Sequence, residues 1–562
     1  MTQPQHPNLS FRLPRAPLAA RRHALALACG LACAVSAQAI EIQSDDPDTK
    51  IRLDFTPKYS TAYRLEKPLA LLTSPAARGD GGVLNENAGD TNFKRGFIQN
   101  RLDLLTEFDY SRGNWGVRFS DAAWTDSRFL GNTGTNTAAG FSRPDGSSVG
   151  RKNQVLDAFV YAKGSLGDMP GTLRIGKHSV QYGETLFFGQ NGIAGAQGPV
   201  DIGRVVSVPN WQFKEVLLPV EQISGSLSLA DNLTLGAYYQ LKWRPSVIPG
   251  VGSYFSNQNY IGGGPVFFGP PLPPVLNTDN SKTQRPGNSG QFGVQLRWAP
   301  EGSAYEYGFY AARYHDKTPA VPVFDLINGN VHTTYGKGIE TIGASVTSSV
   351  GQLNWALEGS LRHNTPLASG PAVLGGAPFM PASNCSGAAS NPCFAVGNTA
   401  HLNLSGIYVL GKSDLWDGGA LLGELAWNRT LSVKTNPGTR GFGGLDPNTT
   451  RDAAALRMIF EPQYFQVRPG MDLSFPVGLG YNFGGRSSAV TNFAGGGSNV
   501  GDLSIGVKAK FQEGWNLSLN LTTYLGSANS FTVPDPQGTR MLSFGQSLKD
   551  RSYLAFSASR TF

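Results

Sequence analysis

Gln291-Phe292-Gly293-Val294-Gln295-Leu296-Arg297-Trp298 is the stretch on which the fold turns. Phe292, Val294, Leu296 and Trp298 fall on one parity, Gln291, Gly293, Gln295 and Arg297 on the other. Successive side chains of a strand point to opposite faces, so this is a strand with one apolar and one wet face. The same alternation recurs along the chain. Leu53, Phe55, Tyr59 and Tyr63 oppose Asp54, Lys58 and Arg64. Leu102, Leu104, Phe108 and Tyr110 oppose Arg101, Asp103, Glu107 and Asp109. Leu233, Leu235, Tyr239, Leu241 and Trp243 oppose Thr234, Gln240 and Lys242, and Leu503, Ile505, Val507 and Phe511 oppose Ser504, Lys508 and Lys510. The runs are about ten residues, long for soluble strands, which cluster near 5–6.

The connections alternate as strictly as the residues. Short turns fall at 111–114, 164–170, 231–232, 300–303, 349–351, 413–418, 468–470 and 512–514. Long segments lie between them, near 66–96, 126–152, 180–220, 244–288, 316–337, 363–398, 432–450, 483–498 and 527–548. Tyr110, Trp115, Trp298, Tyr305, Phe511 and Trp515 flank the short turns, as an interfacial aromatic girdle does. The pattern predicts an all-β fold: a transmembrane antiparallel β-barrel of about 18 strands, with short periplasmic turns and long extracellular loops.

Composition agrees. Beyond the N-terminus there is no apolar run long enough for a spanning helix, and the mean hydropathy is −0.21. Glycine makes up 70 of 562 residues, as expected where apolar residues are diluted one in two by lumen, turn and loop positions. Residues 1–39 read as a secretory signal peptide, with a cationic start (Arg12, Arg15, Arg21, Arg22), an apolar core from Ala24 to Val35 and the cleavage motif Ala37-Gln38-Ala39. A lipoprotein anchor at Cys29 or Cys33 is the competing reading, but Ala26 and Gly30 stand where such a site carries leucine. The barrel domain is then 40–562. Losing those four arginines takes the formal charge from +7 to +3, too small to infer a nucleic-acid partner.

A central run is more distinctive: Gly176-Lys177-His178, Tyr182-Gly183-Glu184, Gln190-Asn191-Gly192-Ile193, Pro199-Val200-Asp201, Val208-Pro209, Phe213-Lys214-Glu215 and Leu217-Leu218-Pro219-Val220. It resembles the proteobacterial outer-membrane family known as domain of unknown function 1302, with similarity extending from about Ile51 to Phe562. The resemblance implies a porin-like barrel in the outer membrane of a Gram-negative bacterium and leans towards handling of hydrophobic organic compounds. The final strand, Leu554 to Phe562, resembles the terminal assembly signal of such proteins, with Phe562 the terminal aromatic and Arg560 off pattern. It implies the barrel assembly machinery and outer-membrane lipid as partners.

Candidate sites are few. His178, His315, His332, His363 and His401 are scattered, without metal-ligand spacing. The adjacent pairs His178-Ser179 and His315-Asp316 make a weak case for catalysis, so neither a catalytic centre nor a cofactor is expected. Cys385 and Cys393 lie in one polar loop, and an oxidising compartment makes them a disulfide. The lumen charges are mixed in sign: Arg101, Arg118, Arg174, Arg297 and Lys508 against Asp103, Glu107 and Glu358. A strongly ion-selective pore shows a single-sign ring.

Two loops are unusually apolar, 181–219 and 261–276. The first folds either into an extracellular cap or into the lumen. In the second case it narrows the pore, with Tyr182, Phe187, Phe188, Asn191, Trp211 and Phe213 facing solute. The leading functional expectation is a passive channel for small, hydrophobic or aromatic organic solutes. A barrel that only anchors surface loops is the alternative, and a barrel-embedded hydrolase is third.

Overall fold

A computed structural model describes residues 40–42, 44–74, 87–130, 150–208, 213–259, 261, 266–267, 275–376, 381–386, 390–438, 442–512, 514–534 and 540–562. The expected signal peptide and Trp211 lie outside them. The described strands are, in chain order, β1 Ile40–Ile42, β2 Thr49–Arg64, β3 Gly96–Arg112, β4 Trp115–Asp126, β5 Arg151–Leu166, β6 Met169–His178, β7 Val220–Ala230, β8 Leu233–Gln240 and β9 Val266–Phe267. They continue with β10 Val275–Thr278, β11 Gln291–Trp298, β12 Tyr305–Tyr314, β13 Val321–Asp325, β14 Asn330–Thr334, β15 Ile339–Val350, β16 Leu353–Pro366, β17 Ala372–Leu374 and β18 Val396–Leu410. The last are β19 Gly418–Thr435, β20 Asp452–Arg468, β21 Met471–Ser474, β22 Val477–Gly485, β23 Val500–Phe511, β24 Trp515–Leu525, β25 Thr532–Pro534, β26 Arg540–Leu542 and β27 Tyr553–Arg560.

Eighteen staves close an antiparallel barrel: β2 to β8, β11, β12, β15, β16, β18, β19, β20, the broken pair β21/β22, β23, β24 and β27. Each pairs with its sequence neighbour, and β27 joins back to β2, from Arg64↔Tyr553 to Lys58↔Ser559. Between β21 and β22, Phe475-Pro476 interrupts one stave, since Pro476 has no N–H to donate. β27 is shorter than β2. The seam continues through a two-way backbone pair of Phe562 with Phe55, at 2.9 and 3.0 Å, and then through β1, where Ile42 faces Ile51.

The burial is inverted relative to a soluble protein. On the inward parity Ser60, Arg101, Asp103, Glu107, Glu358, Asn403 and Glu424 are buried. On the outward parity Leu104, Phe119, Leu235, Phe292, Val294, Phe309, Ile342, Leu404 and Ile505 are exposed. An apolar belt this continuous has no place in water; it is the lipid-facing surface of a spanning barrel.

The tight turns end in aromatic pairs: Tyr110–Trp115 at 5.4 Å, Trp298–Tyr307 at 5.7 Å and Tyr305–Trp355 at 6.4 Å between ring centroids. Arg560, off pattern in the sequence, lies with its guanidinium 5.6 Å from the Trp515 ring and 4.8 Å from that of Phe562. The cation sits among girdle rings and covers the terminal aromatic. Gly113 and Gly351 take φ of 53° and 59° at two of these turns, a left-handed backbone that other residues adopt at a cost.

The long loops fold over the opposite end. A five-stranded sheet in the order β17-β13-β14-β10-β9 draws on three of them, and its apolar residues Val323 and Ala372 pack with Cys393. Cys385 and Cys393 are joined by a disulfide there. Of the apolar loop 261–276, Leu276 is fully buried in this cap.

A clasp of four fully buried charges ties three loops, one of which also supplies β9 and β10. Arg64 Nη2 meets Asp90 Oδ1 at 2.6 Å and Asp550 Oδ2 at 3.2 Å. Arg551 Nε lies 3.8 Å from Asp90 Oδ1 and Arg551 Nη1 donates to the Ser256 carbonyl at 2.7 Å.

The outward parity of Val294, mid-strand in β11, generates a direct test. Val294→Arg should cost about 2–4 kcal/mol, the penalty for a cation on the lipid face near the bilayer centre. Urea unfolding in lipid vesicles measures it, and an unchanged midpoint would place Val294 off the lipid.

Candidate lumen site

The segment between β6 and β7 enters the barrel. His178 pairs directly with Val220 across β6 and β7, so the intervening chain leaves and returns at one place on the wall. Its first half crosses to the far side. Glu184 N and Ile193 N donate to the two carboxylate oxygens of Glu358 on β16, at 2.6 and 2.7 Å. Leu186, Phe187 and Phe188 all donate their backbone N–H to Glu424 Oε2 on β19, at 3.1 and 3.0 Å for the first and last. Charge-assisted bonds to backbone N–H are about twice as strong as neutral ones, and two inward acids thereby fix five loop amides.

Glycine makes this approach possible. A Cβ on Gly183 or Gly192 would lie 2.5 Å from one or other Glu358 oxygen, closer than any side chain tolerates. Arg362 Nη2 adds a bond to the Gly192 carbonyl at 2.7 Å, and Ser405 Oγ one to the Glu184 carbonyl at 2.9 Å.

The second half lies against the near wall. Arg204, on the short helix Ile202–Ser207, bonds Asp103 on β3 at 2.7 Å and Glu215 at 3.2 Å. Gln99 Nε2 donates to the Ser207 carbonyl at 2.9 Å, and Lys214 pairs with Glu107.

Two expected solute-facing residues are instead anchors. Tyr182 is buried against Ile193, Tyr238 and Tyr310, because its ring is the apolar core that the loop needs to sit on a polar wall. Asn191 is 1% exposed. Its amide nitrogen reaches Asn403 Oδ1 at 2.9 Å and the Trp427 carbonyl at 3.1 Å, while its oxygen meets Asn428 and His401, each at 3.1 Å. A side chain with every polar group satisfied by protein has nothing to offer a solute. Phe187 and Phe188 are half-buried, and Phe188 rests on Phe493 with 5.7 Å between centroids. The side chain of Phe213 lies outside the described residues.

The lumen charges are mostly paired. Arg118 bridges Glu107 and Asp109, both at 2.6 Å, and reaches Asp157 at 3.5 Å. Arg101 pairs with Asp103 at 2.7 Å, Arg297 with Glu184 at 2.7 Å and with Glu306, and Lys508 with Glu461 at 3.0 Å. Arg174 instead stands 5.8 Å from the Phe159 ring. Glu424 was missed by sequence reasoning. Its only signal in the sequence is a lone acid in an otherwise apolar run, Ala420 to Trp427.

The structure does not draw together the partners of the two adjacent pairs named from the sequence. His315 bonds Ser289 and Gly338 backbone atoms and not Asp316. His178 meets Ser224 Oγ at 2.7 Å, not its neighbour Ser179, and the Gly176 carbonyl at 3.0 Å. A triad needs an acid at that second nitrogen.

Because one carboxylate holds three loop amides, Glu424→Ala should release the loop without opening the barrel. Limited proteolysis should then cut within 184–193 while heat-modified gel migration stays that of the folded form. Equal protease resistance in the variant would show that Glu424 does not hold the loop.

Comparison with known proteins places the chain. No curated protein matches it. Among solved structures, Acinetobacter baumannii OccAB3 is 9% identical over 91% of this chain and 99% of that one, with a TM-score of 0.41. Pseudomonas aeruginosa OpdK, solved with vanillate, is 12% identical over 91% and 98%, also at 0.41. The outer-membrane channel DcaP of Acinetobacter baumannii is 10% identical over 93% and 99%, at 0.35. One family model, described as "Protein of unknown function (DUF1302)", matches residues 20–562, and the chain belongs to that family.

Proposed function

We propose that this protein is a passive channel in the outer membrane of a Gram-negative bacterium, through which small organic solutes pass by partitioning, with no covalent step. The observation that carries the reading is a closed barrel with a polar interior, crossed by a loop whose backbone is fixed to inward acids on the far wall. A barrel that served only as an anchor has no use for a well-ordered segment inside it. Segment 180–220 is in this reading the constriction: it occupies the lumen at fixed height and leaves solute to pass beside it. Secretion through residues 1–39, recognition of Phe562 by the assembly machinery and contact with outer-membrane lipid belong to the same proposal. So does the absence of enzymatic activity.

The apolar content of the loop supports apolar or aromatic solutes. Phe187 and Phe188 are half-exposed, whereas apolar surface left open to water costs roughly 25 cal/mol per Å². A concave, partly apolar wall with a few polar groups is the usual form of a small-molecule site. The anchor reading draws on a different feature, the five-stranded sheet that three long loops build over the long-loop end.

Because His178 and Val220 are direct partners, residues 180–218 can be replaced by a four-residue Gly/Ser linker that spans the hairpin. Single-channel conductance of that variant in planar bilayers should rise several-fold, and any preference for aromatic over aliphatic solutes should flatten. Unchanged conductance in a folded variant would make the loop a cap. Absence of conductance in both proteins would leave the anchor reading standing and sink the channel.

A further inference from the structure

Charges of both signs stand inside the barrel, but the pairing does not treat them alike. The inward acids near the loop are each engaged: Glu107, Asp109 and Asp157 by Arg118, Asp103 by Arg101 and Arg204, Glu184 and Glu306 by Arg297. Those without a cation, Glu358 and Glu424, are saturated by loop N–H groups. Asp201 accepts from the Arg204 amide at 2.8 Å. Two cations on the same side of the lumen stand apart. Among the described residues, Lys152 on β5 and Arg174 on β6 have no carboxylate within ion-pair distance.

Each of these cations lies against an aromatic ring. The Lys152 ammonium is 5.6 Å from the Trp124 ring, its cross-strand partner on β4. Arg174 is 5.8 Å from Phe159, and its own cross-strand partner is Tyr161. Arg101 and Arg204 approach the same Trp124 ring at 4.8 and 5.0 Å, but both are held by carboxylates, Asp103 and Glu215. Beside Lys152 and Trp124 opens a cavity of about 70 Å³ lined partly by apolar residues, from Ile98 and Phe129 on the barrel side to Val247 and Phe255 of the loop after β8, and partly by the charged side chains of Arg101, Asp126, Asp201 and Arg204. That volume takes a carboxylate-sized group, and its mouth leads over apolar surface.

We propose that Lys152 with Trp124, and Arg174 with Phe159, are two binding stations for small organic anions that carry an aromatic or apolar body, aromatic carboxylates being the simplest class. The anionic group meets the cation, which makes no ion pair of its own although Asp201 acts on Lys152, and the body lies on the adjacent ring and the apolar part of the wall. The stations are seven residues apart along β5, from Lys152 to Phe159, about 23 Å at the rise of a strand, so a solute leaving the first has a second deeper in the barrel. Cations that already hold a carboxylate offer an incoming anion little. These two are not so occupied. The inference names the solute class of the proposed channel and rests on that reading for passage, though not for binding.

Two measurements separate the two ideas. Isothermal titration of the detergent-purified full chain with benzoate, and with neutral benzamide as control, reads binding. Benzoate uptake into liposomes holding the same protein reads passage. Wild type should bind benzoate at least ten-fold more tightly than benzamide, and Lys152→Gln together with Arg174→Gln should remove that preference while gel migration stays that of the folded barrel. Should the double variant misfold, Lys152→Gln alone should weaken benzoate binding about five-fold and leave benzamide unaffected. Equal binding of the two probes by wild type, or an unchanged ratio in a folded variant, overturns the stations. Benzoate preference without uptake of either probe upholds the stations and overturns the channel.

Discussion

Everything in this molecule follows from the requirement that no backbone N–H or C=O be left bare in hydrocarbon. A sheet can meet it only by closing, and the closing contact is the pairing of β27 with β2. The last strand is too short to cover its partner, so the seam is completed by Phe562 opposite Phe55 and then by β1. Once the ring is shut, the two faces of each strand have fixed destinations, lipid outside and a polar lumen inside. The lumen charges, the girdle and the entry of the loop are then consequences of parity.

Parity is also why so much could be read from the residues alone. Alternation at a period of two needs only composition, and Phe292 to Trp298 display it without ambiguity. The short turns were legible for the same reason, being glycine or polar breaks between such runs. β5 and β19 were harder. Leu156 and Ala426 are apolar yet face inward, buried beneath loops, so an apolar residue there no longer signals lipid. The roles of individual loop residues were not legible, because the partners of Asn191 lie more than 200 positions away on β18 and β19. Its amide and the Tyr182 ring were read as offered to solute when both are spent on attachment.

Charge balance shows a related difference between sequence and space. Arg101, Arg118, Arg174, Arg297 and Lys508 outnumber Asp103, Glu107 and Glu358 in a count of residues, but these carboxylates accept from more than one donor each. Asp103 Oδ1 is shared by Arg101 and Arg204, and Glu358 takes two amides. Backbone N–H groups of an ordered loop act as partial positive charges and neutralise acids that a tally would pair with lysine or arginine. The loop therefore sets the electrostatics of the lumen as well as its shape.

The clasp of Arg64, Asp90, Asp550 and Arg551 bears on the order in which the chain comes together. Arg64 donates to the Asp550 carbonyl, a partner 486 positions later in the segment that leads into β27, so the contact forms only as that strand docks. Until then Arg64 and Asp90 have half their complement, and burying a charge without its full set of partners is strongly unfavourable. The three loops that meet there thus stay hydrated until β27 arrives. The roof of this barrel is the last part to dry, and its drying is conditional on a finished wall.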